Sequence, residues 1–161
     1  MSLSLFKKCD IMKKETKAKL DKIFSLYIRL RDSNKGRVKC PLCGKVISRK
    51  EAQNMHFIKR SNMKYRYSEE NCYAGCVGCN VYLNGNYQQY TLFMIKKFWQ
   101  KKVEEMINDK GINKVKEREL EEKIIEYVEK CKKLCKEKRI ELDIEKIVWK
   151  RYLDELKQNR E

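Results

Sequence analysis

Four cysteines can do chemistry here by spacing alone. Cys40 and Cys43 form one Cys-x-x-Cys pair, and Cys76 and Cys79 form a second. Tetrahedral Zn²⁺ in a closed structural site takes four thiolates in two such pairs. Each pair must bend into a tight knuckle that aims both sulfurs at one ion. Gly44 follows the first pair, where such a turn needs a small residue. The spacing predicts one zinc per chain on Cys40, Cys43, Cys76 and Cys79. The chain's only histidine, His56, lies between the pairs. Cys9, Cys72, Cys131 and Cys135 lie outside them. Cys131 and Cys135 are one helical turn apart and read as packing residues.

Periodicity predicts the elements that hold these residues. Residues 12–32 read as a helix, with Leu20, Ile23, Phe24, Tyr27 and Ile28 on one face and a stop at Asp32-Ser33-Asn34-Lys35-Gly36. A short hairpin, 38–39 against 45–47, should carry the first knuckle. Residues 53–58 and 71–75 read as a second hairpin. The long loop between its strands carries Lys59, Arg60, Lys64 and Arg66. Asn80 follows the last cysteine near the start of a short helix, which Gly85 ends in a left-handed conformation. A longer helix over 87–108 would bury Leu92, Ile95, Trp99, Val103 and Met106. Two more helices follow, at 117–139 and 143–158. The first aligns Leu120, Ile124, Tyr127, Val128, Cys131 and Leu134, and Asp143 is the expected N-cap of the second. The fold class predicted is α+β. A helical arm (1–36) precedes a zinc-stabilised core with its following helix (37–110), and a helical extension (111–161) ends the chain.

The order of knuckle, hairpin, and knuckle opening a helix resembles a treble-clef zinc finger. Within it, Asn71 lies fifteen positions after His56, and Asn80 nine positions after that. This series resembles the His-Asn-His/Asn motif of HNH, or ββα-metal, nucleases, and the resemblance implies roles. His56 would be the general base that takes a proton from water. Asn71 would orient the imidazole or its loop. Asn80 would give a carbonyl oxygen to a divalent ion, Mg²⁺ or Mn²⁺, with Gln53 and Asn84 as further ligands. That ion would stabilise charge on the phosphate and the leaving 3′-oxygen.

A wider resemblance surrounds the motif. The segments LDKIFSLYIRLRD, HFIKR, YRYSEEN and CVGCN, then NGN followed by Tyr90, are similar to the phage recombination protein family NinG, also called Rap. The similarity covers roughly residues 17–110, and the Glu/Lys/Leu-rich tail is also similar. It implies a metal-dependent DNA endonuclease of phage recombination that cuts branched DNA, a Holliday junction or a flap. One place departs from the family pattern. The family usually reads Asp-Ala-Gly before His-Phe, whereas this chain has Gln53, Asn54 and Met55. An amide binds Mg²⁺ less strongly than a carboxylate, and Glu51, Glu69 and Glu70 are the acids nearby that can compensate. The alternative reading is a non-catalytic, zinc-containing DNA-binding accessory protein of recombination. A third is an interaction protein whose helices contact a partner.

Composition agrees with a polyanionic partner. The formal net charge is +16, and nucleic acid is the usual partner of such a chain. Lys59, Arg60, Lys64 and Arg66 are the expected DNA contacts. A homodimer is expected, because paired cuts at a junction need two sites related by a two-fold axis. The apolar stripes on 17–31 and 117–139 are its candidate surface. No run of 18 apolar residues occurs, which predicts no membrane span. The first residues carry no secretory h-region. The cytoplasm of a bacterial host, with a phage or prophage as source, is the expected setting.

Overall fold

The structure, a computed structural model, describes residues 3–111, 114–148, 152–154 and 158, and only the backbone of 3–13 and of 148. Helices and two small antiparallel sheets make up an α+β fold. The chain divides into two compact units. One joins the residues up to Tyr27 with those from Val115 onward, and the other is Ile28–Lys114. The N-terminal arm and the C-terminal extension, read as separate segments at 1–36 and 111–161, therefore largely share one unit.

That helical unit is built from α1 (Leu3–Arg31), α4 (Glu117–Glu137) and α5 (Ile144–Val148). Helix α1 starts nine residues before the predicted start at 12, because no Gly or Pro precedes that point to stop it. The predicted apolar faces meet each other. Leu20, Ile23 and Phe24 of α1 are buried, as are Leu120, Ile124, Tyr127, Val128, Cys131 and Cys135 of α4. The Phe24 ring meets Tyr127 edge-on at 4.8 Å, and Tyr27 lies 5.1 Å from the same ring. Thr16 Oγ1 donates to Glu117 Oε1 at 3.0 Å. Each aliphatic side chain so buried contributes about 1.5–3 kcal/mol. Within this unit the apolar stripe of α1 up to Tyr27 and that of α4 are buried together. Lys146 N donates to Asp143 Oδ1 at 3.0 Å, the expected cap. Of the helix predicted over 143–158, residues 149–151 and 155–157 lie outside the described residues.

The second unit holds two hairpins. Strands β1 (Arg37–Lys39) and β2 (Val46–Ser48) pair with Val38 opposite Ile47. Strands β3 (Gln53–His56) and β4 (Cys72–Gly75) pair with Met55 opposite Tyr73 and His56 opposite Cys72. The loop between β3 and β4 contains one helical turn, α2 (Met63–Arg66), capped by Asn62 Oδ1. Met55, Phe57, Tyr73, Tyr90, Met94, Val103 and Met106 form the core beside the cysteines.

Helix α3 (Tyr87–Asn108) has the predicted bounds but not the predicted buried stripe. Leu92 and Trp99 are 60% and 82% exposed, and Ile95 is half-buried, while Tyr90 and Met94 join Val103 and Met106 inside. The cause is a break at Trp99, whose φ of 67° and ψ of 156° are not helical. From Met94 to Val103 a regular helix makes about two and a half turns, so the two would face opposite ways. The break restores the phase and brings both to the core. A non-glycine residue in this region costs about 1–3 kcal/mol, which the burial on either side offsets.

Candidate functional site

The first cysteine knuckle is the turn from β1 to β2. Cys40 N donates to Lys45 O at 2.8 Å, and Gly44 N to Cys40 O at 2.9 Å. Gly44 sits at φ +76°, the conformation for which the sequence provides a glycine. The second knuckle leaves β4. Asn80 N donates to Cys76 O at 3.1 Å, and Leu83 N reaches back five residues to Gly78 O at 2.9 Å, a wider turn than an α-helix makes. Both knuckles converge. The four Sγ atoms of Cys40, Cys43, Cys76 and Cys79 lie within 4.8 Å of one another, and Cys43 and Cys76 are 3.6 Å apart. Zn–S bonds of about 2.3 Å in a tetrahedron put sulfurs about 3.8 Å apart, so this donor set fits zinc.

Two of the sulfurs accept hydrogen bonds, but only Cys76 is made more acidic, while burial pushes the Cys79 thiol up to about 12. Cys79 N donates to Cys76 Sγ at 3.4 Å, and Asn86 Nδ2 donates to Cys79 Sγ at 3.5 Å. Burial opposes ionisation of Cys76, yet the Cys79 amide and the other three cysteines together pull its pKa down to about 7. Gly75 is small for a reason: a Cβ there would collide with Met55 Cε and come within 3.2 Å of Cys40 Sγ.

His56 ends β3 and is half-buried. Its Nε2 donates to the Arg66 carbonyl at 3.1 Å. A carbonyl only accepts, so Nε2 carries the proton, and Nδ1 is the basic nitrogen of the neutral ring. Asn71 is fully buried and works on the same loop. Its Oδ1 accepts from Ile58 N at 2.6 Å, and its Nδ2 donates to Ile58 O and Tyr65 O, each at 3.0 Å. These bonds of Asn71 go to the backbone of the loop at Ile58 and Tyr65.

The amides expected to hold a hard cation engage each other. Asn80 Nδ2 donates to Gln53 Oε1 at 2.6 Å. Asn84 is exposed in a left-handed turn at φ 48°. The compensating acids are occupied elsewhere: Glu51 Oε2 accepts from Ser48 N at 3.1 Å, and Glu70 pairs with Lys102 at 3.5 Å. Glu69 takes part through its backbone carbonyl, which accepts from Arg31 at 3.0 Å. Asn54 Oδ1 is buried with no hydrogen-bond partner. Among the described residues, no other set of three or more His, Cys or carboxylate side chains converges as the cysteines do. Asn80 Oδ1 takes no part in that bond, yet Gln53, Asn80 and Asn84 include no carboxylate, the group on which Mg²⁺ or Mn²⁺ usually rests, so they fit such an ion poorly.

The loop cations differ in their ties. Lys64 pairs with Asp109, which also accepts from Tyr65 OH at 3.0 Å. Arg66 Nη1 donates to Arg60 O at 3.0 Å. Lys59 and Arg60 are exposed.

Two braces of the site escaped the sequence reading. Arg31 grips Asp32 at 2.7 Å and donates to Cys72 O at 2.7 Å, while Asp32 Oδ2 accepts from Ala74 N at 2.8 Å. The end of α1 thus fastens β4 through Arg31 and through Asp32, which was read only as part of the stop signal. Tyr90 OH, fully buried, bonds Met55 O at 3.2 Å and Asn71 O at 3.3 Å, tying α3 to β3 and to the residue preceding β4.

The family model of the bacteriophage lambda NinG protein matches residues 6–137, a span that includes both knuckles, His56, Asn71 and Asn80. No curated protein and no solved structure matches the chain. No described helix is long and apolar enough to cross a membrane.

Proposed function

Since the chain belongs to the NinG family, we propose that it is a DNA endonuclease of phage recombination that acts on branched DNA. In this reading the hairpins and knuckles are a zinc-bound treble clef of the ββα-metal kind. Zinc on the four cysteines holds the fold and stays out of the reaction. His56 takes a proton from the attacking water at Nδ1. The Arg66 carbonyl stabilises the imidazolium that results, because it already accepts from Nε2. Asn71 keeps that carbonyl in place by pinning the loop at Ile58 and Tyr65. Lys59 and Arg60 supply phosphate contacts. The observation that carries the reading is the hydrogen bond from His56 to Arg66, which leaves Nδ1 as the base.

A specific observation favours the second reading, a DNA-binding accessory protein without cleavage. Gln53 Oε1 accepts from Asn80 Nδ2 at 2.6 Å, where the resemblance puts an Asp in place of Gln53. The test is cleavage of four-way, flap and linear DNA by zinc-loaded protein with Mg²⁺, Mn²⁺ or EDTA. Cutting of branched DNA above linear DNA supports the nuclease. Binding without cutting by wild type, with cutting restored by Gln53→Asp, supports the accessory reading. No binding to any DNA removes both.

A further inference from the structure

Helix α3 presents an outward face that the zinc core does not use. Leu92 and Trp99 lie seven residues apart on it, with exposed Lys96 between them. Trp99 is the most exposed large apolar side chain among the described residues. From Asn71 to Val103 the sequence has no Asp or Glu, but it has Lys96, Lys97, Lys101 and Lys102. Lys102 pairs with Glu70, and Lys97 lies over the rings of Tyr73 and Phe93. Lys96 and Lys101 are exposed on either side of Trp99 in the chain. The strained backbone at Trp99 turns the indole away from the core while Val103 and Met106 turn into it.

We propose that this face is a stacking platform for an unpaired DNA strand, with the indole of Trp99 against a base and Lys96 and Lys101 on the flanking phosphates. Every base has a π face, so an exposed indole with cations beside it binds single strands without reading sequence. A base-paired duplex offers such a face only at its ends, so the platform favours the unpaired segments of branched DNA. A second copy of the chain fits poorly. An isologous contact centred on Trp99 would set Lys96 and Lys101 close to their own counterparts, with the exposed carboxylates Glu104 and Glu105 one turn further along α3.

The inference rests on the reading that DNA is the partner, and one experiment separates the two. Trp149→Phe leaves Trp99 as the only tryptophan. Its emission and the anisotropy of a labelled strand are followed together as oligo-dT or duplex is added. Trp99→Gly deletes the indole while keeping a backbone that suits φ 67°. Quenching by oligo-dT that tracks binding is expected, together with an affinity for single strands about 5- to 160-fold weaker in Trp99→Gly and unchanged duplex binding. Binding with unmoved emission and equal affinity of Trp99→Gly overturns the platform and leaves the DNA reading standing. Self-association that Trp99→Gly abolishes, seen by sedimentation, also overturns it. Absence of binding to any DNA overturns both.

Discussion

His56 is held by Arg66: the imidazole Nε2 donates to the Arg66 carbonyl at 3.1 Å. That carbonyl sits at the end of α2, in the loop that Asn71 clamps. One side chain thus carries the proton chemistry and another fixes the loop that orients it. Loss of either should be visible, but in different measurements.

Asn71→Ala should destabilise the protein. It strips a partner from the Ile58 amide and from the Ile58 and Tyr65 carbonyls. Buried groups left unsatisfied cost about 1–3 kcal/mol each, so with three of them a loss of about 3 kcal/mol or more in urea unfolding of the zinc-loaded protein is expected. An unchanged midpoint would mean that the clamp holds nothing.

Zinc should bind at one equivalent per chain and carry much of the stability of the Ile28–Lys114 unit. Structural zinc is worth about 10 kcal/mol or more in isolated fingers. Cys76→Ser should lose the ion and unfold that unit, read by metal analysis and near-UV dichroism. Gly75→Ala should keep the ion but destabilise by about 1–3 kcal/mol, because its Cβ meets Met55 and Cys40 in a packed site. Folded wild-type protein free of zinc would contradict the account.

Asp109 should titrate low. The Lys64 ammonium, the Gly111 amide and the Tyr65 hydroxyl hold its pKa at about 2. A folded pKa below the unfolded one means that the tie to the loop is fully present above the ordinary carboxylate range. It is lost as pH falls through about 2. NMR titration of the carboxylate reads this, and Lys64→Met should return the value toward about 4. A value near 4 in wild type would show the pair to be open in solution.

Much of this was legible in the sequence, and the reasons are physical. Both knuckles, both hairpins and the bounds of α3 rest on local rules: ligand spacing, period-two strands and turn residues. The Asp143 cap and the left-handed Gly85 are equally local. The inner face of α3 was misread because the pattern of Leu92, Ile95, Trp99, Val103 and Met106 is correct only for an unbroken helix. A break carries no Gly or Pro signal here, and it inverts the first half of the stripe. Tyr90 and Arg31 were missed because their hydrogen bonds go to backbone carbonyls far along the chain, which no local pattern encodes. The amide pair of Gln53 and Asn80 was half legible. The missing carboxylate can be read from the sequence, whereas the bond between the two cannot.

Binding to DNA should weaken steeply with salt, by a slope of about 0.9 in log–log terms for each phosphate neutralised. Arg60→Glu is the informative change. Arg66 also braces the loop through Arg60 O, so its reversal would mix charge with structure. Arg60→Glu should weaken binding to all DNA sequences alike and flatten the salt slope by about one. Equal affinity at low and high salt would sink the electrostatic account.

The most direct measurement compares wild type with His56→Ala on a four-way junction under single-turnover conditions. Zinc content and DNA affinity are recorded on the same samples. General-base catalysis is worth about 10² to 10⁴ in rate, so His56→Ala should lose cleavage by that factor while binding and zinc stay unchanged. The same slow cutting by both proteins would contradict the account and leave a DNA-binding protein in its place.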